Sequence, residues 1–187
     1  MAGRLENRLA LITGASRGIG AAVAKRFAAE GAHVVLVART QGGLEEIDDT
    51  IRTAGGNATL VPLDLQDFDG IDRLAGVLAE RHGKLDILVG NAAILGALSP
   101  MSHYEPKTWQ QVIDINLNAN WRLIRDFDAL LRASDAGRAM FVTSGVARDI
   151  RAYWGPYAAS KAGLENMVLG WAAELNNTQV CANLIDP

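Results

Sequence analysis

Tyr157 and Lys161 stand four residues apart in Tyr157-Ala-Ala-Ser-Lys161, and Ser144 lies thirteen residues before the tyrosine. Four residues is about one helical turn, so phenol and ammonium share a face. A nearby ammonium favours the phenolate and lowers the tyrosine pKa toward neutrality. That makes a phenol usable as a general acid or base near pH 7. A tyrosine and a solvated lysine often fall one turn apart, so the pair alone carries little. Its weight comes from a Gly14-x-x-x-Gly18-x-Gly20 loop near the start of the chain. In that order the two features fit the chemistry of moving a hydride to or from a dinucleotide.

The elements that must position these groups follow from the apolar pattern. Residues 9–13, Leu-Ala-Leu-Ile-Thr, are a short apolar run ending in a glycine turn and read as a buried strand. A helix over 19–30 follows, with Ile19, Val23 and Phe27 on one face, Lys25, Arg26 and Glu30 outside, and Gly31 as its stop. Further strands are expected over 34–38, 58–63, 86–90, 138–143 and 180–185. Helices are expected over 43–54, 68–82, 106–132 and 157–176. The alternation calls for an α/β fold, a Rossmann-like doubly wound parallel sheet with right-handed crossovers and helices on both faces. The sequence shows no linker, repeat or low-complexity stretch, so residues 1–187 are expected to form a single domain.

The first strand-to-helix turn is Thr13-Gly14-Ala-Ser16-Arg17-Gly18-Ile19-Gly20. Gly14 permits the tight turn, Gly18 lets the backbone approach a pyrophosphate, and Gly20 lets the helix pack close to the strand. The helix start offers free N–H groups and the positive end of its dipole to phosphates. A glycine-rich loop is informative only after a strand and at a helix start, the context expected here. An NAD site wants an acid at the end of the second strand, for the ribose 2′-hydroxyl. This chain has Ala38-Arg39-Thr40 there and no acid until Glu45. Arg39 suits a 2′-phosphate, which a guanidinium can grip bidentately, and Arg17 adds a second cation. NADP(H) is therefore favoured over NAD(H), the competing reading being two solvated surface arginines.

Composition narrows the alternatives. Hydrophobic residues make up 49% of the 187 and charged residues 21%, enough for one domain with a substantial core. The net charge of −3 lacks the basic surplus that sequence-independent nucleic-acid binding needs. The single cysteine, Cys181, excludes an internal disulfide, and its apolar run makes a buried small hydrophobe the expected role. His33, His82 and His103 are scattered without ligand spacing, so no metal is expected. The polar start, residues 1–8, does not read as a signal peptide, and the apolar runs are shorter than a membrane span. A cytoplasmic protein acting on small molecules, without nucleic-acid or membrane partners, is the expectation.

Taken together, these motifs resemble the short-chain dehydrogenase/reductase family, from about residue 7 to the end of the chain. Within it the likeness is to NADP(H)-type members of the 3-oxoacyl-carrier-protein reductase kind. The loop Thr13 to Gly20 has the family form. Asp64-Leu65 matches the position that binds adenine, and Asn91-Ala92-Ala93 matches an Asn-Ala-Gly motif with its glycine replaced. The stretch from Trp109 to Asn116 resembles the one carrying the family's active-site asparagine, while Ser144, Tyr157 and Lys161 match its other catalytic positions. The cofactor set this implies is Gly14, Ser16, Arg17, Gly18, Ile19, Gly20, Arg39, Asp64, Leu65, Asn91, Ala92, Ala93, Tyr157, Lys161 and Pro187. In the implied mechanism Ser144 hydrogen-bonds the substrate oxygen and Tyr157 donates the proton. Lys161 binds ribose, and Asn116 anchors a water leading to solvent.

Competing residues sort by position. Tyr153 has no lysine one turn on, because position 157 is tyrosine, and only Asn116, not Asn118 or Asn120, fits the spacing from Trp109. Thr143 adjoins Ser144, but one step along a strand reverses the side-chain direction. Trp154 and Gly155 are assigned to loop packing or pocket wall. The bland reading of Asn116 is a surface or capping residue. The chain stops at Ile185-Asp186-Pro187, where the family continues from a Pro-Gly pair into a substrate lid, so the C-terminal part of the family fold is expected to be missing. Without a lid, a non-catalytic dinucleotide-binding or assembly protein is the second reading. The resemblance also implies a homodimer or homotetramer through helices 106–132 and 157–176, where Trp121, Leu123, Phe127, Leu164, Leu169 and Trp171 exceed one sheet-facing stripe.

Overall fold

A computed structural model describes residues 3–187. Its six strands are β1 (Leu9–Thr13), β2 (His33–Ala38), β3 (Asn57–Pro62), β4 (Ile87–Gly90), β5 (Arg138–Val142) and β6 (Cys181–Ile185). They form one parallel sheet in the order β3-β2-β1-β4-β5-β6. The chain runs outward from β1 to β3, then returns to build the other half from β4. That reversal opens a crevice between the carboxyl ends of β1 and β4, where open α/β sheets bind ligands.

The helices are α1 (Gly18–Ala29), α2 (Gln41–Thr53), α3 (Phe68–His82), α4 (Pro106–Ile113), α5 (Ala119–Arg132) and α6 (Gly155–Glu174). Every residue of β1 and β4 is buried, because helices cover both faces of the central sheet. On one face Leu11, Leu88 and Phe141 pack with Leu123, Phe127, Leu164 and Trp171 of α5 and α6. On the other, Ile12 and Leu36 pack with Ala24, Leu44 and Ile51 of α1 and α2.

The expected helix over 106–132 is interrupted. Residues Asp114–Asn118 form a π-helical turn between α4 and α5. A π turn widens the backbone by one residue and is frequent at functional sites. Short 3-10 turns at Met101–His103 and Gly145–Ala147 were not legible in the sequence. Cys181 is exposed rather than buried. It shares the outward face of β6 with Asn183 and Ile185, while Ala182 and Leu184 face inward. The apolar residues of α5 and α6 also need less outside cover than expected. Leu123, Ile124, Phe127, Leu130, Leu131, Leu164, Val168 and Trp171 are all core, leaving Trp121 and Leu169 exposed.

At the end of the sheet away from the crevice, the buried Asp86 carboxylate gathers four donors. Arg8 Nη1 and Lys84 Nζ approach at 3.0 Å, Ser134 Oγ at 2.6 Å and the Leu9 amide at 2.9 Å. Burial pushes this carboxyl up, but the donors outweigh it and hold it at about 2. Among the described residues no helix is long and apolar enough to cross a membrane, and no group of three or more His, Cys, Asp or Glu side chains gathers as a metal site.

Candidate active site

The crevice is built first from backbone. Gly14 sits at φ +65°, and a Cβ there would lie 2.8 Å from Asn91 Nδ2. A Cβ on Gly20 would lie 2.3 Å from the Gly14 carbonyl oxygen, so only glycine lets α1 pack this close to β1. Thr13 stitches the two loops together. Its hydroxyl oxygen accepts from the amides of Asn91 (2.9 Å) and Ala92 (3.1 Å), and Asn91 Nδ2 donates to the Thr13 carbonyl at 2.9 Å. The Asn91 side chain thus holds the site together. Around Gly18, by contrast, a Cβ would meet nothing within 4 Å. The first turn of α1 carries no acidic residue and no side-chain cap, so its N–H groups stay available to an anion.

These segments wall a groove of about 490 Å³. It is lined by Gly14, Ser16, Arg17, Gly18 and Ile19 from the loop, Arg39 beyond β2, Asp64 and Leu65 beyond β3, and Asn91, Ala92 and Ala93 beyond β4. Eleven of the fifteen expected cofactor residues therefore share one groove, while Gly20 is buried and Tyr157, Lys161 and Pro187 lie outside its lining. Arg17 and Arg39 are exposed at its wall, and among the described residues neither has an ion pair or side-chain hydrogen bond. No acid follows β2 at the ribose position.

Beside the groove, β5 and α6 carry the expected catalytic groups. Ser144 follows β5 in extended backbone, φ −164° and ψ 146°. Tyr157 is half-buried in the first turn of α6, with Trp154 edge-on to its ring at 5.9 Å. Lys161 is 2% exposed, and its Nζ lies 5.9 Å from the Tyr157 ring centroid. The ammonium donates to the Val142 carbonyl at 2.6 Å. Burial pushes it down to about 8.

Asn116 lies in the π turn and is fully buried, which rules out a surface or capping role. Its side chain is held by three hydrogen bonds, which use both Nδ2 donors and leave one acceptor site on Oδ1. Nδ2 donates to the Ile94 carbonyl (2.9 Å) and Ser160 Oγ (3.0 Å), while Oδ1 accepts from the Ile94 amide (2.9 Å). Its carbonyl accepts from the buried Asn120 Nδ2 at 2.8 Å. Ser160, inside the Tyr-Ala-Ala-Ser-Lys run, was passed over by sequence reasoning. Its hydroxyl donates to the Tyr157 carbonyl at 2.7 Å and so links the asparagine to the tyrosine's helix.

Residues 8–187 match the short chain dehydrogenase family. The chain belongs to that family. It is 36% identical over 186 residues to the uncharacterized oxidoreductase YciK of Escherichia coli, covering 98% of this chain and 73% of that one. It is 34% identical over 187 residues to a 3beta-hydroxysteroid dehydrogenase of Mediterraneibacter gnavus, covering 99% of this chain and 67% of the relative. A metagenomic short-chain oxidoreductase crystallised with NADP superposes with a TM-score of 0.94 at 36% identity, over 98% of this chain and 83% of that one. The matches carry an oxidoreductase of this family, and not the narrower likeness to 3-oxoacyl-carrier-protein reductases.

Proposed function

We propose that residues 1–187 form the dinucleotide-binding and catalytic domain of an NADP(H)-dependent short-chain dehydrogenase that interconverts a carbonyl and a secondary alcohol. The observation that carries this reading is the buried Lys161 beside Tyr157, in a fold that also holds a groove with an open helix N-terminus. The groove fits a dinucleotide phosphate: Gly18 faces open space and two arginines stand free along its wall. Bound there, the nicotinamide supplies or accepts the hydride. The α1 N-terminus and the loop amides hold the pyrophosphate, and Arg39 with Arg17 takes the 2′-phosphate. Asp64 and Leu65 would hold the adenine, and Asn91 to Ala93 would border the nicotinamide end.

Ser144 then orients the substrate oxygen, and Tyr157 Oη gives it a proton as the carbonyl is reduced. Lys161 binds the nicotinamide ribose and steadies the charge left on the phenol. Asn116, bonded to Ile94 and Ser160, keeps the loop after β4 and α6 in register, and its remaining Oδ1 acceptor site is open to a water. The complex in the metagenomic relative and a Shigella flexneri structure also complexed with NADP support the cofactor choice. Pairing of two copies through 106–132 and 157–176 would cover Trp121 and Leu169. Fluorescence titration with NADPH and NADH, followed by a carbonyl panel, tests the whole reading. Tight NADPH binding without turnover of any carbonyl would favour the non-catalytic alternative.

A further inference from the structure

Two consecutive residues of β5 and its exit are held by two residues one turn apart on α6. The Val142 carbonyl accepts from Lys161 Nζ at 2.6 Å, and the Thr143 hydroxyl donates to Glu165 Oε1 at 2.6 Å. Thr143 is buried, and the Glu165 side chain is only 15% exposed. The next residue is Ser144. The same carboxylate oxygen lies 3.6 Å from Arg148 Nη2, just past the 3-10 turn, and Arg148 Nη2 reaches Asp186 Oδ2 at 2.6 Å. Thr143 is tied to that strand as well, its amide donating to the Ile185 carbonyl at 2.8 Å. Glu165 is therefore the meeting point of the β5 exit, α6, the turn after Ser144 and the end of β6.

We infer that Glu165, through Thr143, is a positioning residue that fixes Ser144 relative to Tyr157 and Lys161. This rests on the function proposed above. The reason lies in the first rung of the pair. Lys161 has a second task in that reading, at the nicotinamide ribose, and an ammonium drawn to a ligand shares or loosens its hold on the Val142 carbonyl. The Thr143–Glu165 rung does not involve the ligand and stays closed. It keeps the strand exit in place while Lys161 works. The directions of the two side chains follow from the pleat: with Thr143 turned to Glu165, the neighbouring Ser144 points the other way. Arg148 neutralises a largely buried carboxylate that would otherwise face a hydroxyl alone, and it adds the end of β6 to the same point.

The test uses Thr143→Val, Thr143→Ser, Glu165→Ala and Glu165→Gln in the full chain, with two readouts. The first is hydrogen exchange of the segment 143–149, measured with and without NADPH. Thr143→Val and Glu165→Ala should speed exchange there about tenfold, most with NADPH present, with the rest of the sheet unchanged. Thr143→Ser and Glu165→Gln keep the donor and the acceptor and should stay near the parent. The second readout is kinetics on a carbonyl that the parent reduces. The two disruptive variants should lose about tenfold in kcat, with NADPH affinity and the pH profile unchanged, and the two conservative variants should recover most of it. Parental exchange at 143–149 in Thr143→Val and Glu165→Ala would overturn the inference. So would equal damage in the conservative and disruptive variants. A parent that binds NADPH but reduces nothing would count against the proposed function and leave the exchange result to decide this one.

Discussion

Replacing Lys161 by methionine should make the cofactor-free protein more stable at neutral pH while abolishing its turnover. The ammonium is 2% exposed, and Val142 O is its one hydrogen-bond partner among the described residues. Burial pushes its pKa from 10.5 to about 8, which corresponds to about 3 kcal/mol of penalty on the charged form. The folded-state pKa lies below the unfolded one, so between about pH 8 and 10.5 the unfolded chain binds more protons and stability rises with pH. Below pH 8 the folded protein bears the full penalty. Methionine has a similar reach and no charge, but it leaves the Val142 carbonyl without a partner, a loss of about 1 kcal/mol. The net gain for Lys161→Met at pH 7 is then about 2 kcal/mol. Raising the pH to 9.5 relieves about 2 kcal/mol in the parent alone, so the two proteins should converge there. Urea unfolding of both at pH 7, 8 and 9.5 measures this, and the difference between them cancels other groups that titrate in the range. A variant less stable than the parent at pH 7, or a difference that does not change with pH, would refute the reasoning.

Other outcomes are expected at separate parts of the molecule. Arg39→Ala should weaken NADPH binding by roughly 10- to 100-fold, the worth of a charge-assisted pair of about 1.5–3 kcal/mol, and leave NADH within about twofold. Fluorescence titration of both cofactors checks it, and equal affinity of the parent for the two would contradict the role. Asp86→Asn leaves one acceptor oxygen facing four donors and should lower stability by about 3 kcal/mol, or roughly 6–12 °C in melting temperature. Because the folded Asp86 pKa is depressed to about 2, its contribution is complete above the unfolded value of 3.8 and is lost as pH falls toward 2. An acid titration of the parent and of Asp86→Asn should therefore converge near pH 2.

Much of this was legible because the physics behind it is local. Strands buried on both faces must be continuous apolar runs, and β1, β2 and β4 are such runs, each ended by a turn. The glycine turn that opens the groove was equally open to reading, since a tight turn, a close helix approach and an uncapped helix N-terminus all fall within Thr13 to Gly20. Cys181 was misplaced because an edge strand alternates, so an apolar residue there can face outward. The π turn hid inside a helical pattern, because one inserted residue barely disturbs apolar spacing over so long a stretch. Asn116 was located but the residues that hold its side chain were not. Its partners Ile94 and Ser160 lie 22 and 44 residues away, and only the fold brings them together. Glu165 was missed for the same reason, being joined to Thr143 across 22 residues of chain.

The central claim is that Tyr157 moves the proton in an NADP(H)-dependent hydride transfer. Tyr157→Phe keeps the ring and its edge-on contact with Trp154 and removes only the hydroxyl. Steady-state kinetics of parent and variant on one confirmed carbonyl substrate, with NADPH affinity measured in parallel, tests the claim most directly. The account predicts NADPH affinity within about threefold and kcat lowered by 10²-fold or more, the range set by loss of a general acid. A variant that keeps near-parental kcat would contradict it and assign the proton to another group.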